Sequence, residues 1–147
     1  MTDVINFKTI IRIIGILLLL ETIMLLACSG ISYYYNDEAL LDFWKSAGIT
    51  AGAGLLMAVA GKGGDKQLTR RDGYVLVSFA WVAFSFFGML PFYISGYVPD
   101  ITNAFFETMS GFTSTGATVL DNIESLPHGL LFWRSMTQWI GGLGIIM

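Results

Sequence analysis

Asp100-Ile-Thr-Asn-Ala-Phe-Phe-Glu-Thr-Met-Ser-Gly-Phe-Thr-Ser-Thr-Gly-Ala-Thr-Val-Leu120 is the stretch on which the fold turns. Its first part, Ile101 to Phe112, reads as a short helix, with Asp100 or Thr102 available as an N-cap and Gly111 near its end. Twelve residues are too few to cross a bilayer, which takes about 20. The second part, Thr113 to Leu120, is small and hydroxylated around Gly116, and the polar turn Asp121-Asn-Ile-Glu-Ser-Leu-Pro127 follows it. The residues alone leave two readings open. One is an ordinary loop; the other is a re-entrant loop, because non-helical backbone at membrane depth is tolerated where it lines a water-filled cavity.

The surrounding composition sets the context. The chain has 147 residues, 54% hydrophobic and 13% charged, where a soluble domain carries about 25% charged. Its mean hydropathy is +0.66. So much apolar surface points to a bilayer, and the length leaves room for at most about five spans. A complete transporter of about ten helices is excluded on that count; part of one is not. Apolar segments run from about Ile10 to Tyr35 (interrupted by Arg12 and Glu21), from Leu40 to Ala60, from Gly73 to Pro99 with no charge, and from Pro127 onward. The last is still apolar at Met147, so its helix is expected to be truncated. Lys8 and Arg12 precede the run Ile13 to Leu20, but no small-x-small cleavage site follows, which predicts an uncleaved anchor.

Orientation follows from the basic residues, which stay on the cytoplasmic side of short loops. Segment 62–72 holds half of the eight Lys and Arg and is expected in the cytoplasm. Two spans separate it from the N-terminus, which is then cytoplasmic too. The acidic turn Asn36-Asp37-Glu38 and the segment from Asp100 to His128 fall outside.

Thr113 to Leu120 suits cation chemistry. A permeating ion sheds water at a cost of tens of kcal/mol by Born arguments, and oxygen ligands must replace it. Backbone carbonyls supply such ligands in potassium filters. Gly116 tolerates the unusual backbone angles that pointing them requires. Ser114, Thr115 and Thr118 add hydroxyls, and the C-terminus of the short helix directs partial negative charge toward the ion.

Other chemistries find little support. A net charge of -3 and the lack of a basic cluster argue against nucleic acid. One cysteine, Cys28, and one histidine, His128, give no soft-ligand metal site and no internal disulfide. No nucleophile and base stand together, so an enzyme is not expected, and no cofactor is implied. Gly61-Lys62-Gly63 lacks the spacing and the hydroxyl of a phosphate loop. Glu107 is expected to hold backbone groups near the Thr/Gly stretch rather than to bind the ion directly. Arg134 and Gln138, four residues apart, share a helix face and favour structural pairing. Glu21 could meet Lys45 or a polar group across the first two spans. Gly48 and Gly52, and Gly141, Gly142 and Gly144, predict close helix packing.

These residues resemble a known family. Phe105 to Leu120, Ser125-Leu-Pro-His128 and Trp133-Arg-Ser-Met-Thr-Gln-Trp-Ile-Gly-Gly-Leu-Gly-Ile-Ile146 are similar to the first pore helix, filter, turn and following helix of the Trk/Ktr/HKT superfamily of potassium transporters, most closely its bacterial Trk members. Arg70-Arg-Asp-Gly73 and Gly88-Met-Leu-Pro-Phe92 add lesser matches in the expected order. The resemblance implies four helix-pore-helix repeats around one pore, preceded by two extra helices. The chain then reads as an all-α membrane protein: two leading transmembrane helices within 1–61, the loop 62–72, and one repeat over 73–147. That repeat has its first helix at 73–97, a pore helix at 101–112 and a filter at 113–118. Thr113, Ser114, Thr115, Gly116, Ala117 and Thr118 would form the filter. Carbonyls of Ser114, Thr115, Gly116 and Ala117 would ligate potassium, and Glu107, Arg134 and Gln138 would support them. Also implied are a bacterial cytoplasmic membrane, lipid contact, the remaining repeats, a homodimer and a cytosolic nucleotide-binding regulatory subunit. A single filter segment stands where the family needs four. The rivals are therefore a homotetrameric channel with one pore loop per subunit and a non-conducting membrane adaptor.

Overall fold

The computed structural model describes residues 6–64 and 68–146; the first five residues, loop positions 65–67 and Met147 lie outside it. The elements are α1 (Phe7–Tyr34), α2 (Leu40–Ala60), α3 (Arg70–Gly88), α4 (Leu90–Ile94), α5 (Ile101–Phe112), a 3-10 turn (Ile123–Ser125) and α6 (His128–Ile146). No strand occurs among the described residues. Among the described residues, three segments are long and apolar enough to cross a membrane: Phe7–Tyr34, Leu40–Ala60 and Arg70–Ile94.

Side-chain caps fix the starts of α1, α3 and α5. Asn6 accepts from Thr9 N at the head of α1, and Asp100 accepts from Thr102 N at 2.7 Å at the head of α5. A reciprocal capping box joins Thr69 and Asp72, so α3 begins at Arg70, three residues earlier than the charge pattern suggests. Asp72 also accepts from Asn6 N at 3.1 Å, which ties the start of α3 to the start of α1.

The uncharged run after Gly73 is not one helix to 97. It breaks at Met89, resumes as α4 and stops at Ile94. Pro91 explains the break: it has no N–H for the carbonyl four residues back, and its ring crowds the preceding turn. At the break, Trp133 of α6 donates its indole N–H to Gly88 O at 2.9 Å.

α1 and α2 form an antiparallel hairpin, with their most extensive packing against each other. Steps of three and four place Ile10, Ile14, Leu18, Glu21, Leu25, Cys28 and Ser32 on the buried stripe of α1. Ile16, Leu20 and Ile23 stay exposed on its other side, as a lipid-facing surface does. Gly15 and Gly54 bring the hairpin close, since a Cβ on Gly15 would stand 2.7 Å from Gly54 O. Gly48 and Gly52 do not serve the close packing expected of them: neither has a neighbour within 4 Å of its Cβ position. Glu21 does not meet Lys45, which pairs instead with Asp42 at 3.2 Å. α5 lies between α3 and α6 over a core that includes Phe43, Phe92, Ala104, Phe112, Leu130 and Trp133.

Candidate functional site

The segment after α5 is shaped by how that helix ends. The last carbonyls of a helix lack internal donors. Here the chain folds back to supply them: Thr113 N donates to Met109 O and Ser114 N to Gly111 O, both at 2.9 Å. Thr115 N at 2.9 Å and Gly116 N at 3.3 Å both donate to Ser110 O. This requires two left-handed residues, Ser114 at φ 55° and Gly116 at φ 75°. Glycine adopts that region freely, whereas serine accepts it at some cost.

Turning the N–H groups inward has a direct consequence. Among the described residues, no hydrogen bond reaches the carbonyl oxygens of Thr113, Ser114, Thr115 or Gly116. They lie on an exposed or half-buried strip at the negative end of the α5 dipole. Ala117 differs, because its carbonyl accepts from Ser110 Oγ at 2.6 Å. Thr113 Oγ1 and Thr115 Oγ1 lie 2.9 Å apart, and Ser114 Oγ donates to Gln138 O at 3.2 Å.

Behind the strip sits Glu107, 2% exposed. Arg134 Nε donates to its Oε1 at 2.6 Å. Thr118 Oγ1 lies 3.0 and 2.9 Å from its two carboxylate oxygens, and Val119 N donates to Oε2 at 3.2 Å. One carboxylate thus joins α5, α6 and the far end of the segment by charge-assisted bonds, which are stronger than neutral ones. Thr118 Oγ1 in turn accepts from Leu120 N at 3.1 Å.

Gln138 lies one turn beyond Arg134, its amide nitrogen 3.1 Å from where a Cβ on Gly116 would stand. Farther along α6, Gly141 rests directly on the Phe112 carbonyl, which a Cβ would strike. The structure therefore gathers Glu107, Arg134, Gln138 and residues 113–118 into one unit. Sequence reasoning missed Ser110, whose hydroxyl and carbonyl both hold the segment. Its signal was a hydroxyl one turn before a Gly/Thr-rich turn. It also missed Asp37, whose Oδ2 accepts from Gly129 N at 3.0 Å at the start of α6.

A family model described as TrkH, cation transport protein, matches residues 43–147. The Trk system potassium uptake protein TrkH of Halomonas elongata is 36% identical over 143 residues, covering 97% of this chain and 30% of that protein. An uncharacterized cation transporter of Methanocaldococcus jannaschii is 38% identical over 138 residues, covering 94% and 27%. The crystal structure of the potassium transporter TrkH from Vibrio parahaemolyticus superposes with a TM-score of 0.89 at 36% identity, over 96% of this chain and 30% of that one. The chain thus spans about 30% of the length of these relatives. With the family model matched across α5, the Thr113–Thr118 strip and α6, the chain belongs to the TrkH family of cation transport proteins, transporters rather than enzymes.

Proposed function

We propose that this chain forms the first part of a potassium uptake protein, with residues 113–118 as one wall of a selectivity filter and α5 as its pore helix. The observation that carries the reading is the inward turn of the N–H groups of Thr115 and Gly116 onto Ser110 O, which leaves the carbonyls of Thr113 to Gly116 without partners. An ion that has shed its water needs such oxygens, already oriented before it arrives. The Ala117 carbonyl, engaged by Ser110 Oγ, has one lone pair left and contributes less. Glu107, Arg134 and Gln138 act as the frame that keeps the strip in place.

In this reading one strip is a quarter of a pore, and the remaining repeats of the polypeptide complete it. The spanned share of the relatives supports that reading. The protein sits in the bacterial cytoplasmic membrane with its N-terminus in the cytoplasm, as the basic residues around 62–71 favour. Its relatives are named as components of a Trk system. A homodimer and a cytosolic nucleotide-binding subunit are the partners proposed.

The test is Gly116→Ser in the full-length protein, assayed for potassium and sodium flux in vesicles. A side chain at φ 75° strains the backbone and meets Gln138, so potassium preference over sodium should fall. Unchanged selectivity would remove the filter assignment.

A further inference from the structure

Glu21 lies near the middle of α1, 1% exposed, and neither of its carboxyl oxygens has a hydrogen-bond partner. It faces the α3–α4 break. A Cβ on Gly88 would stand 2.8 Å from Glu21 Oε1, 2.8 Å from Thr108 Cγ2 and 3.0 Å from Phe112 Cε2. The carboxyl and the back of α5 thus converge where α3 carries no side chain. Thr108 offers no help, because its hydroxyl is turned to Ala104 O at 2.9 Å. Phe112 offers only hydrocarbon.

The charged and titratable groups of the surrounding elements are occupied elsewhere or exposed. On α2, Lys45 pairs with Asp42. On α3, Asp72 closes the capping box beside the exposed Arg70, Arg71 and Tyr74, and on α4 Tyr93 is exposed. Between α5 and α6, Glu107 holds Arg134, and His128 lies beside Asp37. None forms an ion pair or hydrogen bond with Glu21. A bare carboxylate in that place has lost its water and gained no partner, a cost far above the margin of a folded domain. A carboxylic acid carries no charge and fits the apolar stripe. An ionisable group at membrane depth is a functional candidate by default.

We propose that Glu21 is an intramembrane proton-binding site whose occupancy keeps α1 seated against α3 at Gly88, beside the back of α5. Releasing the proton would leave an unpaired charge between α1, Gly88 and Thr108, and the relief available is movement of α1 away from α3 at Gly88. The Phe112 ring lies at the same Gly88 position and Phe112 immediately precedes the 113–118 strip, so that movement reaches the strip through Phe112. The site itself stands on geometry alone; its link to flux rests on the potassium reading above.

The experiment uses the full-length protein in lipid vesicles, with Glu21→Gln, an isostere of the neutral acid, and Glu21→Met, an apolar side chain of similar length. Two readouts are taken across pH: the infrared carbonyl stretch of a protonated carboxylic acid, and potassium flux. The acid band should be present in the wild type, disappear on the alkaline side, and be missing from both variants. Wild-type flux should fall alongside the band, approaching about tenfold per pH unit as one proton is lost, while both variants stay level. Variant spectra that match the wild type would overturn the proton site. Variant flux profiles that run parallel to the wild type would overturn the coupling. An acid band in a protein that carries no potassium at all would overturn the transport reading and leave the proton site standing.

Discussion

The Arg134 guanidinium donates to the Glu107 carboxylate across 2.6 Å, bolting α6 to the middle of α5 with Glu107 only 1% exposed at its side chain. Because Thr118 and Val119 bond the same carboxylate, the pair also fixes the far end of the Thr113–Thr118 strip. Breaking a buried pair from one side strands the other charge and costs about 3–5 kcal/mol. Glu107→Gln and Arg134→Ala should each lower the thermal stability of the full-length protein by a large step, and the double variant should lose less than their sum. Strict additivity would mean the pair holds nothing. Glu107→Gln should also reduce the folded yield more than it alters the charge preference of whatever flux remains.

Gly141 rests against the Phe112 carbonyl, with no room for a methyl group. Gly141→Ala should push α6 from α5 and cost about 1–3 kcal/mol, the usual range for overpacking. Gly48→Ala, where nothing lies within 4 Å, is the matched control and should be neutral or slightly stabilising, as helix propensity favours alanine. Thermal denaturation of the two variants side by side decides it. Equal melting temperatures would contradict the close approach of α5 and α6.

Asp37, in the turn between α1 and α2, accepts from Gly129 N at 3.0 Å and lies 3.4 Å from His128 Nδ1, whose ring stacks on Tyr35 with centroids 4.2 Å apart. It supplies one of the orphan N–H groups of α6, that of Gly129, with an acceptor from a segment some ninety residues away. Asp37→Ala should destabilise the protein by about 1 kcal/mol, and Asp37→Asn, which keeps an acceptor oxygen, should recover most of that. A melting temperature unmoved by Asp37→Ala would show that water caps α6 equally well.

Much of the helical layout is legible in the residues because it is decided locally. Thr69 and Asp72 stand three apart, and Asp100 lies two before Thr102 N, so the starts of α3 and α5 are written within one turn of chain. Gly116 announces a left-handed turn by lacking a Cβ. Pro91 carried an equally local signal for the break after Gly88, but the uncharged run around it dominated the hydropathy pattern and disguised two helices as one.

The amino-acid sequence alone determined an apolar chain of membrane-length helices with a short helix and a Gly/Thr strip between the last two. Periodicity, caps and charge counts act over a few residues, and each of these features is spelled out over that distance. Only the tertiary structure decided that Arg134 meets Glu107, that Asp37 caps α6 and that Ser110 takes the N–H groups of Thr115 and Gly116. It also decided that Glu21 faces Gly88 rather than Lys45. A spacing of three or four names the face a side chain shares, but the partner across that face is chosen by which helices pack together. Here that choice rests on close approaches such as Gly141 on Phe112, where two backbones meet because a side chain is missing.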